Sequence, residues 1–373
     1  MSARKEGLIA LAAGGTGGHL FPAEALAQEL KRRGWRILLV TDSRGARFAS
    51  KFPADERLMI SAASPSIGGP VAKAAAAVSL AGGLLTALRE FRKKHVAAAV
   101  GFGGYPSFPA MKAAQLLGVP YGVHEQNGVL GRANRMVTGG AAFVAHGFPV
   151  LERAEKVRTQ IIEVGNPVRD AVSAAAQTPF PTLAVGARIS LLVFGGSQGA
   201  SLFSKVVPAA IAALPAPLRT RLAVTQQVRD SEIAEVRKVY EAAGVAAELA
   251  PFFDDLPARM AKSHLVIARA GASTVTELSA IGRPSVLAPL AIAMDDHQTG
   301  NARTLSDAGA AIRLSEREFT VEALRVRLHD LLSDKALLEH MANVAKGRVK
   351  ANAASTLADR VEAIAERKVR VAA

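Results

Sequence analysis

Two apolar runs, Leu8 to Ala13 and Ile189 to Phe194, each lead directly into a glycine cluster: Gly14-Gly15-Thr16-Gly17-Gly18-His19 and Gly195-Gly196-Ser197-Gln198-Gly199-Ala200. A short unbroken apolar run reads as a parallel strand buried on both faces, and glycines after it permit a sharp turn into a helix. Strand, turn and helix start together present bare backbone N–H groups and a positive helix end, which suits diphosphates and other anions. Building this device twice predicts an α/β protein of two Rossmann-like, doubly wound domains facing each other across a cleft.

The rest of the chain keeps the same rhythm. In the first half, strand-like runs recur at Ile37 to Thr41, Val96 to Val100, Tyr121 to His124, Ala142 to Ala145 and Ile161 to Val164. Helix-like stretches at Ala23 to Arg33, Val71 to Lys94, Pro109 to Leu117 and Gly131 to Val137 separate them. Small residues and prolines from Gly165 to Gly186, with Thr178-Pro179-Phe180-Pro181, read as a hinge. A second series follows at Leu222 to Thr225, Ala247 to Leu249, Leu265 to Ala268, Ser285 to Leu287 and Ala311 to Arg313. The expected domains are residues 1–165 and 166–350. A last long helix, roughly Lys335 to Val369, is expected to return its end, residues 351–373, to the first domain.

The chain has 373 residues, half of them apolar, and no cysteine, which excludes disulfides and cysteine-held metals and fits a reducing compartment. The N-terminus lacks the pattern of a signal peptide. A formal charge of +14 calls for an anionic partner. Nucleic acid fits poorly, because aromatics make up only 5% and no base-reading motif appears. An anionic membrane surface fits better: Lys31-Arg32-Arg33, Arg36 and Arg92-Lys93-Lys94 crowd the first third. The uncharged run Ala74 to Leu88, only 15 residues, falls short of the roughly 20 needed to span a bilayer. It reads either as a helix dipping an apolar face into lipid beside Arg89, Arg92, Lys93 and Lys94, or as a core helix with a basic end.

Neither glycine turn matches G-x-G-x-x-G or a P-loop, which argues against nicotinamide and NTPase chemistry. Within the first turn His19 opens a helix beside Pro22. The positive helix end favours a neutral imidazole able to accept a proton from an alcohol, so His19 reads as a base or as a residue that only caps and packs. Gly101-Phe102-Gly103-Gly104-Tyr105-Pro106, His124-Glu125-Gln126-Asn127-Gly128 and Asn134 follow strand ends, where open α/β sheets collect ligands. No H-E-x-x-H and no Asp-x-Asp is present, so no metal and no cofactor is expected. Ala270-Gly271-Ala272-Ser273-Thr274-Val275-Thr276-Glu277 is a further phosphate-competent helix start. There Ser273 or Thr274 caps, and Glu277 either binds ribose hydroxyls or closes a capping box. Asp295-Asp296-His297-Gln298 with Asn301 offers amides suited to sugar hydroxyls, or is an ordinary polar loop.

Six blocks in this order, Gly14 to Pro22, His124 to Gly128, Gly165-Asn166-Pro167-Val168-Arg169, Gly195 to Ala200, Arg269 to Glu277 and His297 to Ala302, make nearly the whole chain resemble the MurG glycosyltransferases. The resemblance implies a peripheral enzyme on the cytoplasmic face of the inner membrane. Such an enzyme transfers N-acetylglucosamine from UDP-N-acetylglucosamine to the 4-hydroxyl of undecaprenyl-diphospho-muramoyl-pentapeptide, with inversion. It further implies that Thr16, Gly17, Gly18 and Asn127 line the cleft on the acceptor side and touch the donor sugar; Tyr105 and Asn134, at their strand ends, are further candidate substrate contacts. Arg169 and Ser197, beside Gln198 and Gly199, would meet the diphosphate. Phe253 would offer backbone to uracil, Ala272, Ser273, Thr274, Val275, Thr276 and Glu277 would hold phosphate and ribose, and Gln298 with Asn301 would read the sugar. His19 is the implied base and Glu125 the next in line. Ser273 departs from the leucine frequent in the family. A UDP-sugar epimerase, another lipid glycosyltransferase and a non-catalytic nucleotide-binding module are the competing readings.

Overall fold

The computed structural model of the chain describes residues 5, 7–47, 49–62, 69–184, 186–196, 201–291, 296–348, 350 and 352–372. They divide into two compact units, one of Met1–Arg169 with Lys350–Ala373 and one of Asp170–Val349.

The first unit is built on a parallel sheet in the order β3-β2-β1-β4-β5-β6-β7. Its strands are β1 (Leu8–Ala12), β2 (Arg36–Thr41), β3 (Glu56–Met59), β4 (Val96–Gly101), β5 (Tyr121–Glu125), β6 (Phe143–His146) and β7 (Ile161–Glu163). The helices between them are α1 (Gly17–Arg32), α2 (Ser43–Ala46), α3 (Pro70–Lys93), α4 (Ser107–Leu116) and α5 (Arg132–Arg135).

The second unit carries a parallel sheet in the order β10-β9-β8-β11-β12-β13, the same winding as the first six strands of the other. Its strands are β8 (Ile189–Phe194), β9 (Leu222–Gln227), β10 (Ala246–Ala250), β11 (Leu265–Ala268), β12 (Ser285–Leu287) and β13 (Ala311–Arg313). Its helices are α6 (Asp170–Ala175), α7 (Ser201–Ala212), α8 (Ala216–Arg219), α9 (Ile233–Ala242), α10 (Leu256–Ala261), α11 (Ala272–Ile281), α12 (His297–Ser306), α13 (Val321–Ser333) and α14 (Lys335–Ala345). The final helix, α15 (Ala353–Ala372), belongs to the first unit.

Burial explains why β1 is apolar at every position. Leu8, Ala10 and Ala12 pack with Phe91 of α3 and Met111 of α4, while Ile9 and Leu11 pack on the opposite face with Leu20, Leu26 and Leu30 of α1. Leu357, Val361 and Ala365 of α15 complete that second cluster at helical spacing. Each such leucine or valine contributes roughly 1.5–3 kcal/mol by leaving water. Polar contacts fix the docking of α15: Arg33 reaches Asp359 Oδ1 at 2.6 Å and Glu362 Oε2 at 2.7 Å, and Trp35 Nε1 donates to Glu362 Oε1 at 2.8 Å. In the second unit, Leu191 and Val193 of β8 pack with Phe203 and Val207 of α7, Tyr240 of α9 and Leu328 of α13.

The architecture departs from the sequence reading in specific places. Strand β3 has no apolar run, because it lies at the sheet edge and only Leu58 points inward; Glu56, Arg57 and Met59 do not. Helix α1 starts at Gly17, well before Ala23, which puts His19 in its first turn. The expected single helix from Lys335 is two: α14 stops at Ala345, and Gly347 at φ +85° turns the chain left-handed, a conformation glycine adopts without penalty. Helix α3 runs for 24 residues, and Val71–Lys93 is long and apolar enough to cross a membrane by length and composition. One of its faces is nevertheless spent on the core, through Ala76, Ala87 and Phe91.

The basic cluster of the first third is also narrower than its sequence suggests. Arg32 and Arg33 pair with Glu29, Lys31 with Asp55, and Arg36 with Glu56. Lys94 pairs with Glu56 and Glu90. Arg89, Arg92 and Lys93 remain exposed.

Candidate active site

Doubly wound sheets collect ligands where neighbouring strands send their chains to opposite faces. In the first unit that point lies between β1 and β4, and the two glycine loops that leave them touch. A Cβ on Gly104 would lie 2.6 Å from Gly14 O, and Gly104 holds φ +74°, so glycine is required there on both counts.

His19 stands over this junction. Its Nδ1 is 3.1 Å from Gly14 O and 3.3 Å from Thr16 Oγ1, the residue that precedes α1. A carbonyl oxygen only accepts, so Nδ1 carries the proton and Nε2 the lone pair. The ring edge turns toward Gly103: a Cβ at that glycine would lie 3.1 Å from His19 Cδ2, 3.2 Å from His19 Nε2 and 3.4 Å from Asn134 Nδ2. His19 and Asn134 therefore converge over Gly103, with Tyr105 two residues beyond.

Asn134 is held from below. Its Nδ2 donates to Glu125 Oε2 at 2.8 Å and to the His124 carbonyl at 3.3 Å. The Glu125 carboxylate also accepts the backbone N–H of Asn127 at 3.1 Å, Asn127 Nδ2 at 3.0 Å and the backbone N–H of Gly131 at 2.9 Å. Both carboxylate oxygens are thus occupied in ordering the loop from Asn127 to Asn134.

Deeper still, fully buried His124 donates from Nε2 to Gly165 O at 3.0 Å and accepts from Gln126 at Nδ1. Burial, the largest cause, with the nearby His146, pushes its pKa down to about 4 against the opposing pull of the Gly165 carbonyl. It is a neutral structural imidazole. Arg169 lies with its guanidinium 3.9 Å from the Phe21 ring centre, and Phe21 itself packs across Gly17 at the start of α1.

The second unit repeats the arrangement between β8 and β11. Gly195 N–H donates to Gln227 Oε1 at 3.2 Å; Ser197, Gln198 and Gly199 lie outside the described residues. Helix α11 is preceded by Gly271, and no side chain caps it. Ser273 and Thr274 are not the caps, since both lie inside the helix, and Glu277, six positions in, is too far along for a capping box. Ala272, Val275 and Thr276 are buried. Ser273 Oγ is shielded and has no hydrogen-bond partner, and Glu277 follows it on the same helical face.

Asn301 donates to Ala270 O at 3.2 Å and so braces the turn before α11, while Gln298 Oε1 accepts the Leu290 N–H at 3.0 Å. Arg269 joins the next loop by donating to Ala288 O at 3.1 Å and pairing with Glu316 at 2.6 Å. Phe253 is buried beneath Arg259, whose guanidinium sits 4.4 Å from the ring centre.

Two residues that sequence reasoning passed over shape the turns. Gln227 occupies the Gly195 N–H, and buried Asp42 accepts the Gly15 N–H at 3.1 Å and caps α2 through Gly45 N–H at 2.8 Å. The first turn's amides are accordingly not all bare: one already serves a carboxylate. An aspartate directly after the strand Ile37 to Thr41 and before Ser43-Arg44-Gly45 is a recognisable cap signal.

Comparison with known proteins agrees with the geometry. Residues 9–145 match the glycosyltransferase family 28 N-terminal domain and residues 190–361 its C-terminal domain. The chain is 51% identical over 354 residues to a Methylobacterium nodulans protein, covering 94% of this chain and 95% of that one. It is 49% identical to a Caulobacter vibrioides protein, covering 95% and 98%. Both are named UDP-N-acetylglucosamine--N-acetylmuramyl-(pentapeptide) pyrophosphoryl-undecaprenol N-acetylglucosamine transferase. The crystal structure of Acinetobacter baumannii MurG superposes with a TM-score of 0.75 at 28% identity, covering 95% of this chain and 99% of that one. A Neisseria meningitidis UDP-GlcNAc 2-epimerase, at TM-score 0.65 and 14% identity, shares the fold alone. Near-full-length identity and the duplicated switch-point turns together make the chain a member of the MurG glycosyltransferases within glycosyltransferase family 28.

Proposed function

We propose that this chain is the inverting transferase that moves N-acetylglucosamine from UDP-N-acetylglucosamine to the 4-hydroxyl of the muramoyl sugar in undecaprenyl-diphospho-muramoyl-pentapeptide, a step of peptidoglycan synthesis. The observation that carries this reading is its identity of 51% over 94% of the chain to a relative named for that transfer.

In the mechanism we favour, His19 Nε2 takes the proton of the acceptor hydroxyl. The freed oxygen bonds to the anomeric carbon as that carbon's bond to UDP breaks, and the electron pair leaves with the diphosphate. Support comes from the tautomer that Gly14 O imposes on His19. Glu125 serves better as the organiser of Asn127 and Asn134 than as a second base, because four hydrogen bonds already claim its oxygens. The uncapped start of α11 and the unpartnered Ser273 Oγ suit a phosphate, with Glu277 one turn on for ribose. Arg169 and Ser197 are assigned to charge developing on the leaving diphosphate, Phe253 to uracil, and Gln298 with Asn301 to the sugar.

The same reading sets the protein peripherally on the cytoplasmic face of the inner membrane. Val71, Val78 and Leu85, seven residues apart on α3, are 84%, 73% and 67% exposed. Arg89, Arg92 and Lys93 continue that helix, a pattern suited to acyl chains beside anionic headgroups. Measuring UDP release with and without the lipid-linked acceptor tests the transfer.

A further inference from the structure

Asp42 has no part in the chemistry described so far, yet it reaches the imidazole of His19 through a single peptide group. Its Oδ2 accepts Arg44 Nε at 3.1 Å and Nη2 at 3.0 Å, while Oδ1 accepts the N–H groups of Gly45 at 2.8 Å and Gly15 at 3.1 Å. The Gly15 N–H and the Gly14 C=O belong to one trans peptide, so they point in opposite directions. One end meets Asp42; the other accepts the proton on His19 Nδ1 at 3.1 Å.

The surroundings admit this chain only because glycines line it. A Cβ on Gly45 would lie 2.3 Å from Thr41 Oγ1 and 3.1 Å from Asp42 Oδ1, and Gly15 holds φ +82°. We propose that Asp42 is a positioning residue for His19, polarising the Gly14–Gly15 peptide so that its carbonyl grips Nδ1–H and steadies the imidazolium formed when Nε2 takes the acceptor proton. Hydrogen bonds in a chain strengthen one another, and a carboxylate at one end favours positive charge at the other. No proton passes along the peptide. The arrangement does, at one remove, what a carboxylate touching a catalytic imidazole does directly. It rests on the reading of His19 as the base.

Other charged groups lie in this region: Arg44 from α2, Arg169 stacked on Phe21, and Glu125 through Asn134. Arg44 opposes Asp42, which gives two substitutions with opposite expected signs.

The test is NMR titration of the His19 imidazole in the full-length chain, with its signal assigned by loss in His19→Gln. Asp42→Asn keeps the shape and removes the charge, and it should lower the midpoint by roughly half a pH unit or more. Arg44→Gln, at an exposed side chain, should raise it. Turnover in Asp42→Asn should fall roughly tenfold, well short of the loss when a directly bonded carboxylate is neutralised, with the UDP-N-acetylglucosamine KM within about twofold. An unmoved midpoint in Asp42→Asn, or shifts of the same sign in both variants, would overturn the proposal. If Asp42→Asn does not fold, an absent or downward shift in Arg44→Gln alone does so. Normal turnover in His19→Ala would instead remove the base assignment, whatever the titrations show.

Discussion

Asn134 Nδ2 donates to Glu125 Oε2 at 2.8 Å, and that one contact ties a residue that converges with His19 over Gly103 to a carboxylate at the end of β5. Glu125 is buried and spends both oxygens on donors from Asn127, Gly131 and Asn134. Its place is therefore beneath Asn134, holding the loop from Asn127 to Asn134. Removing such a group leaves several donors unmet, each costing about 1–3 kcal/mol when shielded from water.

Glu125→Gln should consequently lower thermal stability by a few degrees and turnover by roughly 10- to 100-fold, because the new amide turns an N–H toward existing donors. The acid limb of the kcat/KM profile should stay where it is. A profile measured from about pH 5.5 to 9 checks this; loss of the limb would return Glu125 to the role of base.

His19→Ala should reduce kcat by roughly 10²-fold or more while UDP affinity, read by calorimetry, is unchanged. Near-normal turnover would take the proton-accepting role away from His19.

The buried His124 sets a pH dependence of stability. Its folded pKa, about 4, lies below the ordinary 6.5, so the unfolded chain takes up a proton that the folded chain refuses. Its contribution is fully present above about pH 6.5 and is lost as pH falls toward about 4, by up to roughly 1.4 kcal/mol per pH unit within that window. Denaturant unfolding at pH 7.5 and 5 should show this fall, and His124→Asn should flatten it. An equal fall in the variant would assign the effect elsewhere.

On the membrane face, Val78→Asp with Leu85→Asp, or charge reversal at Arg92 and Lys93, should weaken co-sedimentation with anionic vesicles by about 1 kcal/mol per reversed cation near the surface. Reversal at Lys94 should matter little, since that ammonium is held by Glu56 and Glu90. Unchanged binding in the α3 variants would place the contact on another surface.

Much of the fold was legible because parallel strands buried on both faces leave continuous apolar runs, and β1, β4, β8 and β11 do so. Strand β3 was invisible for the converse reason: an edge strand with one inward leucine has no run to read. The break after Ala345 was signalled by Gly347 but overridden by the helical pattern on either side. At the site, the glycines and His19 announced themselves, whereas Asp42 did not, since its importance lies in which peptide its carboxylate reaches. The same limit hid the bracing roles of Asn301 and Gln298, which depend on backbone partners in other loops.

The most direct test of the central claim is UDP release by the purified full-length chain from UDP-N-acetylglucosamine, with and without undecaprenyl-diphospho-muramoyl-pentapeptide, in the presence of chelator. Release that depends on the acceptor and resists the chelator, with a β-linked disaccharide as product, is the predicted result. Release of free sugar isomers without acceptor, or tight UDP binding with no release under either condition, would contradict it.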